Sequence, residues 1–247
     1  SMVHERLGYR YLRAAGVPAP LCNHARVWVN GEYYGLYANV QTLDDEFAEA
    51  LWSPAPGNLY DIPTGEYFYD LLPEYLERYD LETNQAAADR SDLAALITAL
   101  GGDAEQAYLS AGEHLDWSEW LALGAAQAVI ADWDGYFGAR NNYKLYHELE
   151  RDRFVLLPWG IDQTFGITDG AAGEPLFHLD YRLDHSTSER EPGYVLQRCQ
   201  RAPACWERYL DAVEAAVATF EGLPLASDLD AIVAQTEAAR LEDERKE

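Results

Sequence analysis

Residues 128–166, AVIADWDGYFGARNNYKLYHELERDRFVLLPWGIDQTFG, decide how this chain is read. Three oxygen-bearing side chains, Asp134, Asn142 and Asp162, interrupt elements that are otherwise apolar. Ahead of Asp134, residues from about 115 to 130 carry apolar side chains at helical spacing and are nearly free of charge after Glu119. That pattern predicts a buried helix, which would hold Asp134 in a fixed place. Gly135, Gly138 and the Asn141-Asn142 pair predict a loop. Two β-type runs follow at 143–147 and 153–158, joined by a charged turn, which is the pattern of a hairpin. Asp162 comes directly afterwards, in the loop GIDQTFG at 160–166.

This order of helix, acid, loop, amide, hairpin and acid can bring two carboxylates and one carboxamide into one small cleft. Mg²⁺ favours such oxygen donors, usually one or two carboxylates completed by substrate phosphates. Protein kinases use the same order: a catalytic Asp, a downstream Asn for one metal, then an Asp before Phe-Gly for the other. The spacing here departs from theirs. Asn142 follows Asp134 by about eight positions against the kinase loop's five, and the second acid stands in Asp-Gln-Thr-Phe-Gly. By spacing alone, Asp134 also suits a helix terminus, Asn142 a turn and Asp162 an N-cap.

More specifically, WDGYFGARNNYKLY followed by FVLLPWGIDQTFG resembles the spore coat protein H (CotH) kinase family. Its members carry Trp-Asp, then Asn-Tyr-x-Leu-Tyr, then Pro-Trp-Asp-x-Asp-x-x-Phe-Gly. LGYRYLRAAGVPAP, VWVNGEYYGLYANVQTLDDEF, GNLYD and YDLETN look like that family's upstream blocks, in the family's order, and the resemblance runs from about Leu7 to about Leu210. It implies an α+β, protein-kinase-like fold with a reduced N-lobe of one helix plus a β-hairpin over residues 1–50, and a mostly helical C-lobe over 51–247. It implies ATP and Mg²⁺ as cofactors, Asp134 as the catalytic acid of the loop, and Asn142 and Asp162 as metal ligands. A protein substrate and a place outside the cytoplasm, extracellular or in the cell envelope, are implied as well. The chain departs from the family at Gly160, where the pattern has Asp. Ser1-Met2 reads as an artificial start, so a glycine-rich loop and a phosphate-holding lysine are expected on strands ahead of this sequence.

Composition narrows the partners. The formal charge is −25, and only Lys144 and Lys246 are lysine. Such a surface repels nucleic acid and anionic lipid, so cations, neutral surfaces or basic protein segments are the expected partners. No apolar run is long enough to span a bilayer, and the N-terminus lacks the pattern of a signal peptide, which predicts no membrane insertion. Cys22 stands alone, whereas Cys199 and Cys205 lie six apart across CQRAPAC; a small disulfide or two buried thiols both fit. If the family's extracellular placement applies, the two are linked.

Taken in order, residues 3–15 predict a helix stopped by Gly16 and Pro18. Lying before a hairpin, it resembles the kinase C-helix, with Glu5 as the candidate partner of a phosphate-holding lysine or else a solvated helix residue. Asn30-Gly31 between 25–29 and 33–40 is a type I′ hairpin signal. Residues 41–44 lead to a short helix at 45–51 and would form the crossing between lobes, where an adenine ring could sit. The tract from Gly57 to Asp80 is the least periodic and is rich in tyrosine; these rings are expected to pack with their hydroxyls exposed. Residues 91–100 predict a capped helix, and 194–200, 206–220 and 228–242 predict three more. Residues 167–193, with His178 and His185, occupy the place of a kinase activation segment, where a protein acceptor would lie. No nucleophile elbow, zinc-protease, dinucleotide or Walker pattern occurs. Two function classes therefore stand beside each other: a metal-dependent phosphotransferase, with nucleotidyl transfer as a variant, and a kinase-shaped binding module without turnover.

Overall fold

The structure is a computed structural model that describes residues 2–52, 57–63, 65–87, 89–166 and 192–245. The 53–56 loop and the expected acceptor segment, including His178 and His185, lie outside the described residues. The chain is α+β, with antiparallel sheets and helices that segregate from them. Helix α1 (Met2–Ala14) leads into a hairpin, β1 (Cys22–Val29) and β2 (Glu32–Val40), which forms a two-stranded sheet by itself. Its turn is the expected one: Asn30 and Gly31 have φ of 54° and 87°, and Val29 pairs with Glu32. Helix α2 (Asp45–Leu51) follows, capped by Asp44, whose carboxylate accepts from the Phe47 amide at 3.0 Å.

A second sheet holds β3 (Asn58–Asp61), β4 (Asp80–Leu81), β5 (Tyr143–Glu148) and β6 (Arg153–Pro158), in the order β4-β3-β5-β6. The β5–β6 hairpin is the one expected from sequence. Strand β3 is a correction to the aperiodic reading of its tract. It is four residues long and finds its partner nearly ninety positions away, pairing Leu59 with Tyr146, so no local pattern marks it. Its insertion also overturns the expected exposure of the tyrosines. Tyr60, Tyr69 and Tyr79 are buried; the Tyr60 hydroxyl donates to Asp92 at 2.6 Å, and the Tyr79 and Tyr143 hydroxyls share a hydrogen bond of 2.5 Å. Tyr67, in the same tract, is largely exposed.

Helices α3 (Ser91–Ala99), α4 (Ala104–Ala111), α5 (Trp117–Val129) and the single turn α6 (Tyr136–Ala139) carry the chain to the second hairpin. Of these, α4 and α6 were not anticipated: the eight residues of α4, AEQAYLSA, have too little apolar content to stand out, and the predicted loop after Asp134 winds into one helical turn despite Gly138. After residue 192 come α7 (Tyr194–Arg201), α8 (Pro203–Gly222) and α9 (Leu225–Leu241). Helix α5 is the centre of the main core. It is apolar on nearly every face because α1, α6, α8 and β6 surround it, which is why its pattern reads as buried all round. Helix α9 returns to the first hairpin, where the Tyr33 hydroxyl donates to the Ala239 carbonyl at 2.8 Å and Asp243 accepts from the Leu36 amide at 3.1 Å. Among the described residues no helix is long and apolar enough to cross a membrane.

Cys199 and Cys205 are disulfide-bonded and fully buried, joining α7 to α8 across the Ala202-Pro203 corner. Closing so small a loop restricts the unfolded chain modestly. The double substitution Cys199→Ser, Cys205→Ser is expected to cost about 2 kcal/mol, lowering the melting temperature by roughly 4–8 °C for a chain of this size. Thermal denaturation with and without reductant measures it, and the reduced parent should match the double variant.

Candidate active site

Helix α5 ends at Val129 with Ile130 as its C-cap, and the backbone then turns through a left-handed residue at Ala131 (φ 53°) to deliver Asp132, Trp133 and Asp134. After α6, two further left-handed residues, Arg140 and Asn142 (φ 59° and 47°), redirect the chain into β5. The loop that follows β6 is tied back to the same place: the Phe165 amide donates to the Ile130 carbonyl at 2.7 Å, and the Trp159 amide to the Asn142 carbonyl at 3.0 Å. Such a concentration of costly backbone conformations persists only where the surroundings dictate it, and it marks a site for functional scrutiny.

The side chains expected from sequence do converge. Asn142 Nδ2 donates to Asp134 Oδ2 at 2.7 Å, and Asn141 Nδ2 donates to Asp134 Oδ1 at 3.1 Å. Asp162, held by Gln163 Nε2 at 3.0 Å, is close enough for its charge to act on Asp134. Burial raises the Asp134 carboxyl above its ordinary range; the two asparagine amides oppose this, and Asp162 adds to it. Gly160 (φ 54°) lies against Asn142: a Cβ there would stand 3.1 Å from Asn142 Cγ and Oδ1. The position at which the related pattern has Asp is therefore in direct contact with one of the expected metal ligands.

Glu5 lies at the same site, on α1. Burial raises its carboxyl, and the negative charge acting on it is that of Asp162. The alternative of a fully solvated residue does not hold, since Glu5 is half-buried. Nor is Lys144 its partner: Lys144 pairs with Asp61 at 2.7 Å, on the second sheet. The structure also adds residues that the sequence reading passed over. Asp132 is buried, accepts from Gln127 Nε2 at 2.7 Å and is pushed up to about 7, by burial first and then by the charges of Asp134 and Asp162. His4 packs edge-on against Phe165 beside Asp162, and burial holds its imidazole below the ordinary value. The doubled acid in Ala-Asp-Trp-Asp, at the end of an apolar helix, was the one available signal for Asp132.

The donor set suits a hard divalent cation. The charges acting on Asp132 and Asp134 are negative ones from within the cluster, which a cation would relieve, and carboxylate and carboxamide oxygens are magnesium's usual donors. Among the described residues no three His, Cys, Asp or Glu side chains form a closed metal site, so any bound cation would need ligands from elsewhere, as magnesium takes them from phosphates. Space for such a ligand adjoins the cluster. A cavity of about 200 Å³ is bounded by Asn141, Asn142, Trp159 and Tyr67, with Asp61 on its wall. A second cleft of about 460 Å³ lies against the 42–45 crossing and reaches Lys144, whose ion pair with Asp61 links the two.

The profile of a family described as CotH kinase protein matches residues 1–247 of this chain. No curated protein matches it.

Proposed function

Because the chain belongs to the CotH kinase protein family, whose description points to a kinase-like function, we propose that it is an ATP- and Mg²⁺-dependent phosphotransferase with a protein-kinase-like fold, acting on Ser or Thr of a protein. The observation that carries the reading is the 2.7 Å hydrogen bond between Asn142 and Asp134, at the place where the 160–166 loop returns Asp162. When bound, Mg²⁺ would neutralise phosphate charge and ATP would supply the phosphoryl group. Asn142 Oδ1 and the Asp162 carboxylate would hold the cation. Asp134, with both oxygens already fixed by asparagine amides, would orient the acceptor hydroxyl and take its proton. Its raised pKa makes it a better base than an ordinary carboxylate. The crossing at 42–45 and the cleft beside Lys144 are where the base and sugar would lie. A protein partner, no nucleic acid and no membrane insertion fit the charge of −25. The Cys199–Cys205 bond supports an oxidising compartment, the cell envelope or beyond.

Gly160 favours a second reading, a binding module that holds nucleotide without turnover, since one carboxylate of the family pattern is missing beside Asn142. One experiment separates the readings: incubation with Mg²⁺ and ATP labelled at either the γ or the α phosphate, alongside calorimetric titration of Mg²⁺·ATP. Label from the γ position on the chain or on an added protein is the expected result. Label from the α position would indicate nucleotidyl transfer, and binding without either label the inert module. Asp162→Ala is expected to weaken magnesium-dependent nucleotide binding by about 10–100-fold. Unchanged binding would remove Asp162 from the metal site.

A further inference from the structure

Asp70 is absent from the acidic cluster yet almost wholly buried, at 1% exposure. Its Oδ1 accepts from the Leu71 amide at 2.8 Å, the Tyr136 hydroxyl at 2.9 Å and the Tyr194 amide at 3.0 Å; Oδ2 also accepts from Tyr194, at 3.0 Å. Two of these donors come from remote parts of the chain. Tyr136 opens α6, two residues after Asp134, and Tyr194 opens α7, directly after the expected acceptor segment. Gly193, which precedes Tyr194, packs against Tyr136: a Cβ there would stand 2.6 Å from the Tyr136 ring and 2.9 Å from the Tyr136 carbonyl oxygen, so only glycine fits. The Tyr136 ring meets Tyr143, the neighbour of Asn142, edge-on at 4.8 Å, and the Tyr143 hydroxyl donates to the Tyr69 carbonyl at 3.0 Å. The network thus closes on the residue next to Asp70. A buried carboxylate with three donors loses heavily if any of them withdraws, because the remaining groups are left unsatisfied away from water.

We propose that Asp70 is a positioning residue that couples the loop bearing Asp134 and Asn142 to the first turn of α7, so that neither moves without the other. It deepens the phosphotransferase reading and rests on it, because it gives the chain that leaves the acceptor segment a direct hold on the catalytic loop. Burial pushes the Asp70 carboxyl up to about 6, against the hydrogen bonds from Tyr194, Leu71 and Tyr136 and the charge of Arg140. The other titratable groups facing it are the phenols of Tyr79, Tyr136 and Tyr143, all raised by burial far from this range, so among the groups of this network Asp70 is the one whose carboxyl is shifted towards pH 6. Since its folded pKa is raised, its contribution is fully present below the ordinary carboxylate range and is lost as pH rises through about 6.

Hydrogen exchange on the whole chain, read by mass spectrometry at pH 7, tests the coupling without requiring turnover. Asp70→Ala should accelerate exchange in residues 134–142 and 193–197 together by roughly 10-fold or more, and leave β1, β2 and α9 unchanged. Asp70→Asn, which keeps one acceptor oxygen, should restore both segments to within about threefold of the parent. The ratio of exchange between Asp70→Asn and parent in these segments should change between about pH 5 and 7. Acceleration of only one segment, uniform acceleration of the whole chain, or a ratio independent of pH overturns the proposal. With transfer measured, Asp70→Ala should lower kcat about 10–100-fold with KM for ATP within about threefold; a loss confined to KM also overturns it. If the parent shows no transfer, the phosphotransferase reading fails, and the exchange result still decides whether Asp70 couples the two segments.

Discussion

Asp134→Asn is expected to lower phosphoryl transfer by about 10²–10⁴-fold while leaving the melting temperature close to that of the parent. The two halves of this expectation have different causes. Asn cannot take a proton from the acceptor hydroxyl, so whatever Asp134 supplies as base is lost outright. Stability responds differently because Asp134 is a partly buried acid with Asp162 nearby, and burial already disfavours its charged form. Neutralising it relieves that opposition, which offsets the weakening where the new amide faces the Asn142 amide. Affinity for Mg²⁺·ATP should stay within about threefold, since the proposed metal ligands are Asn142 and Asp162. The measurements are single-turnover transfer, nucleotide titration and thermal denaturation of the same two proteins. Transfer that survives near the parental rate would move the chemistry elsewhere, and buried Asp132, two residues away with a carboxyl at about 7, is the next group to substitute.

The largest loss of stability is expected from Trp120→Ala. Trp120 sits in the first turn of α5, is 1% exposed, and meets Tyr136 edge-on at 6.2 Å. Its indole N–H donates to the Phe154 carbonyl on β6 at 2.8 Å. Truncation leaves a large cavity, about 3–5 kcal/mol for a buried Trp, and strands the Phe154 carbonyl, about 1–3 kcal/mol more. Against a whole-domain stability of roughly 5–15 kcal/mol, the variant should be largely unfolded or unfold at much lower urea concentration. Trp120→Phe refills most of the volume and isolates the hydrogen bond, with an expected cost of about 1–3 kcal/mol. A loss below about 1 kcal/mol for Trp120→Ala would mean that α5 does not organise the core as its burial indicates. Because α5 delivers Asp132 and Asp134, the same variant should lose nucleotide binding in parallel with its fold.

How much of this was legible in the sequence depends on the range over which each feature is determined. The run ahead of Asp134 announced α5 because its neighbours cover it on nearly every side after Glu119, and a helix so enclosed is apolar on most of its surface. Asn30-Gly31 announced the first hairpin, because φ > 0 at two successive positions is a local requirement that few residue pairs meet. The meeting of Asp134, Asn142 and Asp162 could be anticipated from their order along helix, loop and hairpin, and the first two do share a hydrogen bond.

Other features had no local trace. Strand β3 exists because β5 offers it an edge, and Tyr60 and Tyr79 are buried because Asp92 and Tyr143, from other elements, satisfy their hydroxyls. The placing of Glu5 beside Asp162 depends on how α1 lies over the end of α5. The elevated carboxyls of Asp70 and Asp132 depend on removal from water and on which donors and charges surround them. Sequence by itself determined the elements whose stability comes from their own periodicity and turn chemistry, together with the order of the candidate catalytic groups. Tertiary structure alone decided which polar groups are desolvated and by whom they are satisfied, because burial and partner geometry are properties of the assembled core rather than of any segment of the chain.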